Sequence, residues 1–201
     1  MCNLCEINGS DIESQKDFIN RIHAATFIGT LQATYTDFTY LRSIWRHQCE
    51  EDALLGIGIT GIASNKINPD WLSSGAEYAK ILNKSLADVL GINASARITT
   101  IKPSGTTSIV VGSSSGIHAW HNDYYIRRVR VGKNEAIYTY LTINHPELIE
   151  DDKFRPHDTA VISVPQKAPE GAITRKTDTS ETLLERVKLY HDKWIKPGHN
   201  D

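Results

Sequence analysis

The chain has 201 residues, 40% of them hydrophobic and 23% charged, a balance that fits a soluble globular protein with one sizeable core and gives a single domain as the default. A formal charge of −2 and a pI near 6.4 exclude a long-range field for gripping polymeric nucleic acid or an anionic membrane, so any nucleotide has to be held by local contacts. No run approaches the about eighteen apolar residues of a membrane span, and the opening MCNLCEINGSD has neither the basic nor the apolar region of a signal peptide. The expectation is a cytoplasmic protein with no membrane partner.

In chain order, residues 2–8 read as a short strand. Between Ser14 and Tyr35 the apolar residues Phe18, Ile19, Ile22, Ala25, Phe27, Ile28 and Leu31 recur at three- and four-residue spacing, which predicts a helix. A second helix is expected from Phe38 to about Gln48. The run Leu54 to Ile62 alternates large residues with glycine, as a buried strand does where another backbone or a ligand comes close. Residues Trp71 to Leu90 read as a helix stopped by Gly91.

Arg97 to Ile101 reads as a β-branched strand that enters KPSGTTS and then Ile109-Val110-Val111-Gly112, so Pro103 to Ser108 is expected to be a tight connection between regular elements. Tyr124 to Val131 alternates like a half-exposed strand, Glu135 to Asn144 reads as a helix, and Ala160 to Val164 as a strand. Ser180 to Ile195 reads as an amphipathic helix with a Thr/Ser cap. Strands separated by helices of this length predict an α/β architecture with largely parallel strands and ligands at their carboxyl ends. The sheet, at about five strands, reads as incomplete.

Lys102-Pro103-Ser104-Gly105-Thr106-Thr107-Ser108 holds one glycine and four hydroxyls. Pro103 sets the entry angle, Gly105 lets a backbone approach a ligand, and Ser104, Thr106, Thr107 and Ser108 offer donors, so the loop suits a phosphate bound by hydroxyls and amides without net charge. A plain Ser/Thr-rich helix cap is the equally simple alternative. No Gly-Lys-Ser/Thr follows, so this is not a Walker loop. A second small-residue run, Gly112-Ser113-Ser114-Ser115-Gly116-Ile117-His118, follows closely, and the two could enclose one ligand; Ser115, Gly116, Ile117 and His118 are the pocket candidates. His118 and His121 lack a third metal ligand at a convincing spacing, so no metal is assigned.

Three cysteines are an odd number for a disulfide framework. Cys2-Asn3-Leu4-Cys5 has the C-x-x-C spacing of zinc and redox sites, yet no second pair exists for zinc. In a strand the two sulfurs would point to opposite faces, which makes them poor disulfide partners. Cys49 reads as a small buried residue.

Several separated segments resemble one family, the adenosylcobalamin-dependent class II ribonucleotide reductases: MCNLCEIN, GTLQATYTDFTYLRSIW, ALLGIGITGIA, TTIKPSGTTSIVVGSSSGIHAWHNDYYIRRVRVGKNEA, HPELIEDDKFRPH and AVISVPQKAPEGA. The resemblance runs through nearly the whole chain in one order. It implies a ten-stranded α/β barrel whose central finger loop carries a thiyl radical, a ribonucleoside di- or triphosphate substrate, adenosylcobalamin as cofactor and a thioredoxin-type reductant as partner. It places Cys2 on the second member of the reducing cysteine pair, Ser104 to Ser108 on the substrate-phosphate loop and Ser115-Gly116-Ile117 on the next turn of the pocket. Asn3-Leu4-Cys5 echoes the Asn-x-Cys-x-Glu finger-loop motif, but Glu6 follows Cys5 directly, and the spacing to the downstream segments favours Cys2 as the reducing thiol.

The finger loop, the first reducing cysteine, the effector region and a C-terminal cysteine pair have no match here. The expectation is therefore one partial domain, residues 1–201, forming about half the barrel, inactive until the remainder of the reductase chain joins it. A non-catalytic nucleotide-binding module and a piece of a class I large subunit are the alternatives. Under the leading reading the Cys2 sulfur and the Pro103 to Ser108 hydroxyls face one cavity.

Overall fold

A computed structural model describes residues 1–200, which divide into two compact units, residues 1–120 with 169–200 and residues 121–168. The first unit holds β1 (Asn3–Asn8), α1 (Gln15–Gln32), α2 (Ser43–Asp52), β2 (Leu55–Thr60), α3 (Asp70–Leu90) and α4 (Thr106–Val110). The second holds β3 (Tyr124–Gly132), α5 (Ala136–Asn144), β4 (Ile149–Asp151) and β5 (Thr159–Lys167); α6 (Ser180–Tyr190) returns to the first.

The helices begin and end where local chemistry dictates. Ser14 caps α1 by accepting from the Asp17 N–H at 3.2 Å, which satisfies one of the orphan donors of the first turn. Helix α3 ends at Gly91, whose left-handed backbone, φ 68°, returns its N–H to Ala87 O, a conformation glycine adopts without a Cβ penalty. Thr179 and Thr182 form a reciprocal capping box at the start of α6, two donors satisfied at once.

In the first unit, β1 and β2 pair in parallel from Asn3↔Leu55 to Asn8↔Thr60. The segment Arg97 to Thr100 extends this sheet by a single parallel bridge, Ile57↔Thr99, with Leu55 N–H donating to Arg97 O and Thr100 N–H to Ile57 O. One face of the sheet carries Ile7, Leu55, Ile57 and Ile59 into a core with Phe18 and Ile22 of α1 and Leu72, Ala76 and Ala79 of α3. Trp194, fully buried, seals the end of this core: its indole N–H donates to Ile57 O at 3.3 Å and Thr100 O at 3.2 Å, and Thr99 Oγ1 donates to Trp194 O at 2.6 Å.

The second unit is a three-stranded antiparallel sheet in the order β3-β5-β4, running from Tyr124↔Lys167 to Gly132↔Thr159 and from Ile149↔Ile162 to Asp151↔Ala160. Val131, Ala160 and Ile162 form its core with Tyr138 and Leu141 of α5. Asp152 holds the turn before β5, accepting from the N–H groups of Phe154 and Arg155 and from Arg130 Nε at 2.7 Å.

Three sequence expectations change. The largely parallel sheet is realised only around β1 and β2, because β3, β5 and β4 pair antiparallel; the connection from Asp151 to Thr159 is too short for the crossover that a parallel pair needs. The connection expected over Pro103 to Ser108 is shorter, because residues 106–110 are the short helix α4, with the Ser108 hydroxyl donating back to Ser104 O and Gly105 O. The second helix starts at Ser43, not Phe38, and ends with Ala53 in a left-handed conformation. The architecture is mixed α/β, and the described strands do not close into a barrel.

Candidate functional site at the carboxyl ends of the parallel strands

Strand alternation decides which side chains leave the helix-covered face of β1. Cys5 turns toward α1, where its sulfur lies beside Gly29 and within 3.8 Å of Gln32 Oε1. Cys2, Leu4 and Glu6 point the other way. A methyl group on Gly56 would meet Leu4 Cδ2 at 2.5 Å, Cys2 Sγ at 3.0 Å and Thr100 Cγ2 at 3.3 Å, and one on Gly58 would meet Glu6 Oε1 at 2.8 Å. The alternating glycines of β2 are thus explained by side chains of the flanking segments folding over a bare strand.

The same face continues through Thr100 to Lys102, whose ammonium lies 2.8 Å from Glu6 Oε1. Lys102 is the root of the loop. Beyond it Ser104 is buried, Pro103, Gly105, Thr106 and Thr107 are exposed, and Ser108 is buried with its proton committed inside the loop. Ser104 Oγ and Ser114 Oγ have no hydrogen-bond partner among the described residues although both are buried. Such orphan hydroxyls are rare and mark places where something else supplies the bond.

The two small-residue runs meet. Ser104 N–H donates to Ser115 Oγ at 3.0 Å, Gly116 N–H donates to Thr60 Oγ1 at 2.9 Å, and Thr60 Oγ1 donates to Ser114 O at 2.9 Å. Gly116, at φ 53°, lies so close to Lys102 O that a Cβ would stand 2.4 Å from it, so only glycine fits there. Asn8 Nδ2 reaches Val111 O at 3.3 Å. Arg186 of α6, buried and paired with Asp178, donates to Ile117 O at 3.1 Å. His118 is exposed, its backbone N–H donating to Ser115 O at 2.9 Å, and no group of three metal-ligating side chains occurs among the described residues.

Cys2 shares the face of Glu6 but not the loop end of the strand. Cys2 and Glu6 are four residue steps apart, about 13 Å at ~3.3 Å per residue. Partial burial pushes the Cys2 thiol above its ordinary value, and burial followed by the Glu6 charge does the same to Cys5; both are protonated at neutral pH. Cys49, on α2, is buried, as the sequence suggested.

Sequence reasoning had no signal for Glu6, Lys102, Thr60 or Arg186. Their significance lies in burial and in contacts between residues as much as 96 positions apart, which no local pattern records.

The fold and the sequence both have known likenesses. The chain superposes on a B12-dependent class II ribonucleotide reductase with a TM-score of 0.77 at 17% identity, over 96% of this chain and 31% of that one. No family model matches. Among curated proteins it is 26% identical over 94% of its length to the adenosylcobalamin-dependent ribonucleoside-triphosphate reductase of Euglena gracilis. It is also 26% identical, over the same share, to the probable enzyme of that name from Dictyostelium discoideum. The Lactobacillus helveticus enzyme is 42% identical over 55 residues. The chain is therefore homologous, over most of its length, to the adenosylcobalamin-dependent class II ribonucleotide reductases, and it spans about a quarter of the length of the two relatives that it matches throughout. No helix among the described residues is long and apolar enough to cross a membrane.

Proposed function

We propose that the chain supplies the substrate-phosphate loop and one reducing thiol of an adenosylcobalamin-dependent ribonucleotide reductase, as about half of its α/β barrel. The substrate is a ribonucleoside di- or triphosphate, held by Ser104, Thr106, Thr107 and the loop amides between Pro103 and Ser108, with Ser115, Gly116 and Ile117 behind them. The observation that carries this reading is the pair of buried hydroxyls without partners among the described residues, Ser104 and Ser114, where the two runs meet at the carboxyl ends of parallel strands, the usual ligand position of such sheets.

Cys2 fits the second part of the role. Reduction at the 2′ carbon removes the hydroxyl as water and takes two electrons and two protons from a pair of thiols, which become a disulfide. A thiol held protonated at neutral pH carries both its electron and its proton, and Cys2 is exposed on the face that leads through Thr100 and Lys102 to the loop. Its partner thiol comes from the remainder of the reductase chain, and a thioredoxin-type protein resets the pair.

Adenosylcobalamin, when bound, supplies the initiating radical. The remainder of the chain is expected to bind it.

The test is reconstitution of the chain with the upstream part of a class II reductase and adenosylcobalamin. Cys2→Ser should lower sustained deoxyribonucleotide formation on the order of a thousandfold while nucleotide binding persists. Turnover of this variant at the wild-type rate removes Cys2 from the chemistry, and an unaltered KM in a Thr106→Ala, Thr107→Ala double variant removes the loop from phosphate binding.

A further inference from the structure

Glu6 has no place in the phosphate-loop reading, yet it is the most unusual polar group of the sheet. Its side chain is 5% exposed. Lys102 neutralises its charge from 2.8 Å at Oε1, but neither carboxylate oxygen accepts an aligned hydrogen bond among the described residues. An ionised carboxylate has about four lone-pair sites, and leaving them uncovered in a buried position costs more than leaving a neutral group so. The sequence makes room for this arrangement, since any side chain at Gly58 would collide with the carboxylate at 2.8 to 3.0 Å.

The position of Glu6 says what kind of donor is missing. The carboxylate faces away from the hydrophobic core and touches the residue at the root of the phosphate loop, so it stands beside a ligand anchored there and not over the anion itself. Its acceptor-only chemistry would repel a phosphate oxygen and attract a hydroxyl. Lys102, pinned by Glu6, keeps the pair neutral and leaves the loop to hold the anion with hydroxyls and amides.

We infer that Glu6 is a specificity-determining residue that accepts a hydrogen bond from a hydroxyl of the organic part of the ligand, so that the site prefers hydroxyl-bearing phosphate esters to apolar ones of equal charge. The inference rests on the phosphate-loop reading above and adds to it a contact on β1. A hydrogen bond to an ionised acceptor in a buried setting is worth about tenfold or more in affinity.

The experiment is a titration of the 201-residue chain, followed by NMR at the Thr106 and Thr107 amides, with methyl phosphate and with ribose 5-phosphate. The wild-type chain should bind ribose 5-phosphate about tenfold tighter. In Glu6→Gln, which keeps the shape but offers a weaker, neutral acceptor, the ratio should fall at least about threefold with methyl phosphate bound no less tightly. Glu6→Asp, which withdraws the carboxylate by one methylene, should also lose the preference, and circular dichroism checks that both variants fold. A wild-type ratio near one, or a ratio unchanged in both variants, overturns the role of Glu6 while leaving the loop reading intact. If neither ester perturbs the loop amides, the phosphate loop itself is wrong and Glu6 falls with it.

Discussion

The backbone N–H of Ser104 donates to Ser115 Oγ at 3.0 Å, which ties the first residues of the phosphate loop to a turn eleven positions later and fixes the spacing of the two walls of the site. Ser104 is buried, so its N–H has no ready access to water. Removing the acceptor in Ser115→Ala should cost about 1–3 kcal/mol of stability, the penalty of a buried donor left unpaired, and should weaken inorganic phosphate binding in parallel. Ser115→Thr keeps the hydroxyl and should recover most of both. Urea denaturation and phosphate titration of the three proteins measure this, and equal stability of the alanine variant would mean that the hydrogen bond is not made.

Arg186 acts on the same turn from outside. Its guanidinium and Asp178 are 8% and 12% exposed, and it donates to Ile117 O at 3.1 Å. Breaking a buried pair by removing one partner strands the other charge, which costs about 3–5 kcal/mol. Arg186→Met should therefore destabilise the first unit by that order, and Asp178→Asn, which keeps an oxygen acceptor, by less. A denaturation midpoint of the methionine variant within error of wild type would show that Asp178 finds water instead.

Much of this organisation is legible in the residues themselves, and the failures have physical causes. The helix from Gln15 and the strand at 3–8 follow from apolar spacing, and the strand at 55–60 from the glycine alternation that lets neighbouring side chains cover its second face. The antiparallel pairing of β3 with β5 was not legible, since alternation specifies that a strand has two unlike faces but not the direction of its neighbour. The type of element after the loop was left open, since the β-branched Ile109, Val110 and Val111 favour extended backbone while the Ser/Thr-rich loop before them suits a helix cap. The hydroxyl Ser108 overrides that preference by bonding back to Ser104 O and Gly105 O. The hydroxyl-rich loop announces itself by composition, whereas Glu6 looks like any strand-edge acid until its burial is known.

Trp194 tests how much the end of the chain contributes. It is fully buried, packs its ring tilted against Phe18 at 6.0 Å between centroids and donates to the carbonyls of Ile57 and Thr100, so it joins the core to the segment that leads into the loop. Trp194→Ala should destabilise the unit by about 3–5 kcal/mol through lost burial and the cavity left behind. Trp194→Phe retains most of the apolar contact and loses only the indole donor, so it should cost clearly less. Near-equal thermal midpoints for the two variants would assign the stabilisation to the hydrogen bonds instead of to packing.

The thiols supply the pH dependence. Cys2 and Cys5 are both raised above the ordinary thiol value, Cys2 first by burial and Cys5 first by burial and then by the Glu6 charge. A raised folded value means that the native state prefers the neutral thiol, so this contribution to stability is complete below the unfolded thiol value of about 8.5 and fades as pH rises through the folded values. Alkylation by iodoacetamide, which needs the thiolate, should accordingly keep accelerating at Cys2 beyond pH 9, with Cys5 slower because it is less exposed and Cys49 slowest because it is buried. Glu6→Gln removes the charge beside Cys5 and should move its alkylation profile to lower pH while leaving that of Cys2 in place. Peptide-resolved mass spectrometry across pH 7 to 11 reads both profiles, and a Cys2 rate that levels off below pH 8 would show a thiolate stabilised by its surroundings, the reverse of what burial against Gly56 and Leu4 dictates.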